Sequence, residues 1–214
     1  MPRKMRCSKA CSRAAREAAI APMFHLSQPS AEQVRQFLAA QSHQAFSYRE
    51  TGMTRGQAPA GYECDHNRIR LGSGAQVFAD AVAAVRRWQM FDLGWLQLFP
   101  AAAPIEIDVT VCVRVRHYGF WSLNGCRLVY LIDEDGPVKR FGFAYGTLAE
   151  HAERGEERFT VEWHRRDDAV WYDILAYSQP RHRLARLARP LARHLQKRFA
   201  RDSQQAMQRL GARG

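Results

Sequence analysis

The chain has 214 residues, 46% hydrophobic and 25% charged, with five Trp, seven Tyr and eleven Phe, a composition that excludes a disordered or low-complexity polymer. Its formal net charge of +11 invites a nucleic-acid reading, but residues 1–22 hold six Lys/Arg against one Glu and residues 181–214 hold ten against one Asp, which leaves 23–180 slightly acidic. No run reaches the roughly 18 uncharged apolar residues that a membrane-spanning helix needs.

Residues 1–22 have the composition of a transit peptide but lack the apolar stretch of a secretory signal. We read them as a disordered basic extension, with a single domain occupying 23–214. Cys7, Cys11, Cys64, Cys112 and Cys126 are odd in number and form no CxxC pair, which points to a reducing compartment and an expected cytoplasmic location. Cys7 and Cys11 have no His or acid beside them to complete a metal site.

Ser30 followed by AEQVRQFLAA predicts an N-capped helix ending near Gln41, with Val34, Phe37 and Leu38 on one face. Short extended segments are expected at FSYRE (46–50) and YECDHNRIRL (62–71), separated by a Gly/Pro-rich loop. A second helix should run from Gly74 to about Met90 on Val77, Phe78, Ala81, Val85 and Trp88. FDLGWLQLFPAAAP (91–104) reads as an aromatic-rich loop.

From Ile105 to Arg116 apolar and polar residues alternate, which predicts a half-buried strand with one wet face. RLVYLI (127–132), FGFAYG (141–146), RFTVEW (158–163) and VWYDILAY (170–177) follow, separated by turns too short for crossover helices, so the sheet should be antiparallel. An even RRDD hairpin would set Trp163 opposite Val170, Val161 opposite Tyr172, Phe159 opposite Ile174 and Glu157 opposite Ala176. The same arithmetic at DEDGP puts Leu128, Tyr130 and Ile132 on one face with Phe141, Phe143 and Tyr145. Gly142 and Gly146 suggest bends or bulges. Residues 181–210 predict a long amphipathic helix, apolar along Leu184, Leu187, Leu191, Leu195, Phe199, Ala206 and Leu210 and basic along Arg186, Arg189, Arg193, Lys197 and Arg201, with Pro190 placed to kink it.

The run FGFAYGTLAEHAERGEERFTVEW (141–163), with GSGAQVFADAVAAVRRWQMFDLGW (72–95) upstream and AYSQPRHRLARLARP (176–190) downstream, resembles an uncharacterised family of bacteria and plants catalogued as domain of unknown function nineteen-ninety. The resemblance covers about 23–210 and implies no activity. The order of elements is also similar to the helix-grip fold of START and Bet v 1-like proteins, which wrap a curved sheet around a terminal helix and often hold an apolar ligand between them. The expected fold class is therefore α+β, a curved antiparallel sheet of about six strands packed on a long C-terminal helix.

Several side chains could carry chemistry. His151, Glu156 and Glu157 are dense in acid/base and metal-capable groups, but no third ligand at short spacing completes a metal site. Glu157 is turned by strand pairing onto an apolar face, where it must either be paired, for example by Arg127, Arg140 or Arg158, or take a raised pKa. Gly72-Ser73-Gly74 lacks the lysine and spacing of a phosphate loop, and Ser122 and Ser178 lack the context of a nucleophile. No cofactor or metal is implied.

Tyr130, Phe143, Tyr145, Glu157, Trp163 and Tyr172 form the candidate ligand-binding set, since buried phenols and indoles need polar partners. The first expectation is a module that binds a hydrophobic or amphipathic small molecule between sheet and C-terminal helix. One alternative is an enzyme that uses the same cavity with Glu157 as acid or base. Another is a peripheral protein whose basic helix face meets anionic membrane or nucleic acid weakly.

Overall fold

A computed structural model describes residues 23–151, 153–180 and 189–211. The expected N-terminal extension and the first part of the C-terminal helix, with Leu184, Arg186 and Leu187, lie outside them. In chain order the elements are β1 (Phe24–His25), α1 (Ala31–Gln41), β2 (Glu63–Ser73), α2 (Gly74–Arg86), β3 (Leu96–Phe99), β4 (Thr110–Arg116), β5 (Trp121–Glu134), β6 (Val138–Thr147), β7 (Glu153–His164), β8 (Ala169–Pro180) and α3 (Arg189–Gly211). The strands form one antiparallel sheet in the order β2-β8-β7-β6-β5-β4-β3, with β1 added to the start of β5. This is the helix-grip-like α+β architecture, with eight strands where about six were expected.

α1 begins where Ser30 and Gln33 satisfy each other's backbone amides in a capping box. Its Val34 and Phe37 pack on Cys112 and Leu123 of the sheet's outer face. The expected wet face of the 105–116 strand is therefore covered: Val111 and Val113 face the main core while Cys112 and Arg114 are buried under α1 and its approach. Burial pushes the Cys112 thiol up to about 12. The strand is also shorter than its alternation suggested, because Asp108 takes a left-handed conformation (φ 66°) and pairing begins only at Thr110.

α2 ends at Arg86, short of Met90, because Trp88 adopts φ 55° and the chain turns at Gln89–Phe91. The stretch expected as a loop instead supplies β3, whose Leu96 and Leu98 pair with Val115 and Val113. FSYRE forms no strand, only a bridge from Phe46 to Leu148. Pro190 is the second residue of the described helix.

The β7–β8 register follows the hairpin arithmetic: Glu157 opposes Ala176, Phe159 Ile174, Val161 Tyr172 and Trp163 Val170. The β5–β6 register does not. Leu128 opposes Tyr145, but the register slips by one at Val129, so Tyr130 opposes Ala144 and Leu131 opposes Phe143. One extra residue sends every later side chain to the other face, and Tyr130 leaves the set with Phe143 and Tyr145. Gly142 marks a close approach rather than a bend, since a Cβ there would lie 2.1 Å from the Phe159 carbonyl oxygen. Gly146 leaves room for the Tyr48 ring on the outer face.

Candidate functional site: a cavity under the C-terminal helix

The inner face of the sheet is filled at one end by α2 and the aromatic core around Trp88, Phe143 and Phe159. At the other end α3 spans the sheet without filling the space beneath it, leaving a cavity of about 560 Å³. Its apolar wall comes from Phe91, Trp95, Val113, Ile174, Leu195 and Phe199, and its polar wall from Asp65, Glu153, Glu157, Ser178 and Gln196.

Polar bonds hold α3 over this space. Arg193 Nη2 donates to Asp65 Oδ1 at 2.8 Å, and its Nη1 lies 3.6 Å from Glu63 Oε2. Gln196 donates to Ser178 Oγ at 3.1 Å and to Glu153. Farther along, Trp95 Nε1 donates to Asp202 at 3.0 Å, and the Tyr172 hydroxyl meets Ser203 Oγ at 3.0 Å. Of the predicted basic stripe, Arg193 is thus bonded to Asp65 of the cavity wall and Arg201 is paired with Asp202. Lys197 lies exposed at the cavity rim.

Glu157 and Tyr145 are cross-strand partners on β7 and β6, and the phenol donates to Glu157 Oε2 at 2.8 Å. None of the expected cations reaches the carboxyl: Arg127 donates to the Gln41 and Ser42 carbonyls, Arg140 to Glu134 and Glu162, and Arg158 to Asp173 and the Thr54 carbonyl. Burial, against the help of the Tyr145 bond, raises Glu157 to about 7, and Asp65 and Glu153 push the same way. Burial likewise raises Glu153 and holds the Tyr145 phenol well above its ordinary range.

The six residues of the predicted set do not converge. Tyr145 and Glu157 line the cavity. Phe143 and Tyr172 are fully buried in the adjoining core. Trp163 sits at the far end of β7, where its Nε1 donates to Asp168 in the hairpin turn. Tyr130, after the slip at Val129, lies on the outer face, with its hydroxyl 2.8 Å from Thr54 Oγ1 and the Arg55 guanidinium over its ring. Of His151, Glu156 and Glu157, the first and last both line the cavity, while the Glu156 carboxylate is bonded on the outer face. Sequence reasoning missed Phe91, Trp95, Asp65 and Glu153. The available signal was the pair of acids at alternate positions of the β2 run, which a sheet face had to accommodate.

This geometry defines a class: an α+β module of helix-grip-like architecture enclosing a mostly apolar cavity with one carboxyl–phenol pair in its wall. A family model described as a domain of unknown function (DUF1990) matches residues 47–206, and the chain belongs to that family. It is 36% identical over 200 residues to a UPF0548 protein of Dictyostelium discoideum, covering 85% of this chain and 92% of that one. It is 40% identical over 194 residues to a UPF0548 protein of Deinococcus radiodurans, covering 84% and 94%. Among solved structures, a hypothetical protein of Helicobacter pylori superposes with TM-score 0.47 at 8% identity (76% of this chain, 94% of that one). Human STARD10 superposes with TM-score 0.38 at 8% identity (84% and 81%). At those scores the structural likenesses bear on no functional point.

Proposed function

We propose that the protein binds a hydrophobic or amphipathic small molecule in the cavity between the sheet and α3. The observation that carries this reading is the Glu157–Tyr145 pair facing an otherwise apolar space of about 560 Å³. Protein interiors are packed with few voids larger than a water molecule, while small-molecule sites measure roughly 300–1,000 Å³ and combine apolar walls with a few placed polar groups. Ala176 lines the cavity on β8, so Ala176→Trp should fill the space without opening the core. The test is binding of Nile red, together with native mass spectrometry of the purified protein for a co-purified molecule. Binding by the wild type that Ala176→Trp abolishes supports the reading. A wild-type protein that binds no probe and carries no ligand overturns it.

A second reading, an enzyme using the same cavity, is favoured by one observation. A carboxyl titrating at about 7 beside a phenol is poised to give or take a proton at neutral pH.

A further inference from the structure

The polar wall of the cavity is unbalanced in charge. β2 contributes Asp65, and β7 contributes Glu153 and Glu157, on the inner face. Arg193 of α3 is bonded to Asp65 of this wall. Gln196 answers Glu153 with a neutral amide. Glu157 has only the neutral Tyr145 hydroxyl, on Oε2, which leaves Oε1 without a donor among the described residues on a side chain that lines the cavity.

The buried groups packed around Glu157 supply no counter-charge, and His151, which also lines the cavity, is bonded through Nδ1 to the Glu153 backbone. Cys126 of β5, Tyr145 of β6 and Tyr172 of β8 are all held in their neutral forms by burial. Lys197 of α3 is solvent-exposed at the rim, where water screens it. An anionic head group would therefore meet Glu157, Glu153 and Asp65 as like charges. A cationic one would supply the counter-charge and the missing donor together.

We propose that the cavity takes an amphiphilic amine, its ammonium group donating to Glu157 and its apolar part lying along Phe91, Trp95, Leu195 and Phe199. This rests on the cavity being a ligand site. The ligand class is set by the carboxyl, and the direction of pH dependence follows. Since ammonium binding needs ionised Glu157, raised by burial to about 7, affinity should fall by about tenfold per pH unit once the pH drops below that value.

Isothermal titration of the full chain with octylamine, octanol and octanoate at pH 8 and pH 6 tests this. At pH 8 octylamine should bind at least about thirtyfold more tightly than the other two, in line with a buried charge-assisted contact. At pH 6 that advantage should shrink while octanol binding stays constant. Glu157→Gln should remove the preference for octylamine over octanol. Octanol or octanoate binding as tightly as octylamine in the wild type would overturn the amine and leave the apolar cavity standing. No binding of any of the three would overturn both.

Discussion

Glu156 and Glu157 are adjacent on β7 and have opposite surroundings. Glu157 faces the cavity with one phenol for company. Glu156, 2% exposed on the outer face, accepts hydrogen bonds from the Tyr48 hydroxyl at 2.7 Å, the Gly52 amide at 2.7 Å, the Thr54 amide at 3.0 Å and the Thr54 hydroxyl. The alternation of a strand turns two like residues into a loop anchor and a cavity group.

For Glu156 the consequence is structural. Glu156→Gln replaces one oxygen, which accepts two of the four bonds, by an NH₂ group, so a backbone amide and a hydroxyl both lose their acceptor and the amide meets another donor. We expect a loss of about 2–4 kcal/mol in chemical denaturation, with proteolytic cleavage appearing first in the 48–62 segment. An unchanged midpoint would show that the loop does not depend on the carboxylate.

Glu157 should behave in the opposite way. Its folded pKa of about 7 lies above the unfolded value near 4.5, so ionisation is easier unfolded. The group costs nothing below about pH 4.5, and its cost grows through the window up to about pH 7, reaching about 3 kcal/mol by pH 8. Glu157→Gln should therefore be more stable than wild type at pH 8 and equal to it near pH 4.5. Melts of both proteins across that range check the sign, and a mutant less stable at pH 8 would mean that the carboxylate is paired.

Arg193 should couple helix stability to the same acids. Its removal in Arg193→Leu takes from Asp65 the cation bonded to it, and the partly exposed pair places the cost at about 1–2 kcal/mol. Glu153, which Arg193 now holds down against burial, should titrate higher still, as carboxyl NMR would register.

Gly142 offers a test of sheet packing independent of the cavity. A Cβ there meets the Phe159 carbonyl oxygen at 2.1 Å and Thr160 Cα at 2.9 Å, both backbone atoms that cannot yield cheaply. Gly142→Ala should cost about 3 kcal/mol. Gly136→Ala, whose Cβ finds nothing nearer than 3.9 Å, should stay within about 0.5 kcal/mol.

Local signals carried much of this fold. Ser30 marked the start of α1, the RRDD turn set the β7–β8 register, and the inward placement of Glu157 follows from that register alone. Where the sequence misled, a non-local cause was at work. Cys112 and Arg114 looked like a wet face because nothing near them in sequence announces that α1 covers them. Tyr130 falls on the outer face because the register slips at Val129, an ordinary strand residue that gives no local sign of a bulge. Trp95 and Phe91 were passed over because β3 is only four residues long and shares its segment with a turn. The cavity itself depends on where α3 crosses, which amphipathicity alone does not specify.

The two halves of α3 are held very differently. Among the described residues its buried side chains, Ala200, Ser203, Ala206 and Met207, lie in the second half, whereas Leu191 is 39% exposed and the first half rests on Arg193, Gln196 and side chains that border the cavity. Lifting residues 190–197 breaks a few polar links, while lifting 200–207 uncovers packed core. The free energy of local opening therefore rises along the helix, and amide protons should exchange fastest over the cavity and slowest beyond Ser203. On the proposed ligand-binding reading, guest molecules would come and go at the less buried end of this helix, with the Tyr172–Ser203 contact as the fulcrum, without the domain unfolding.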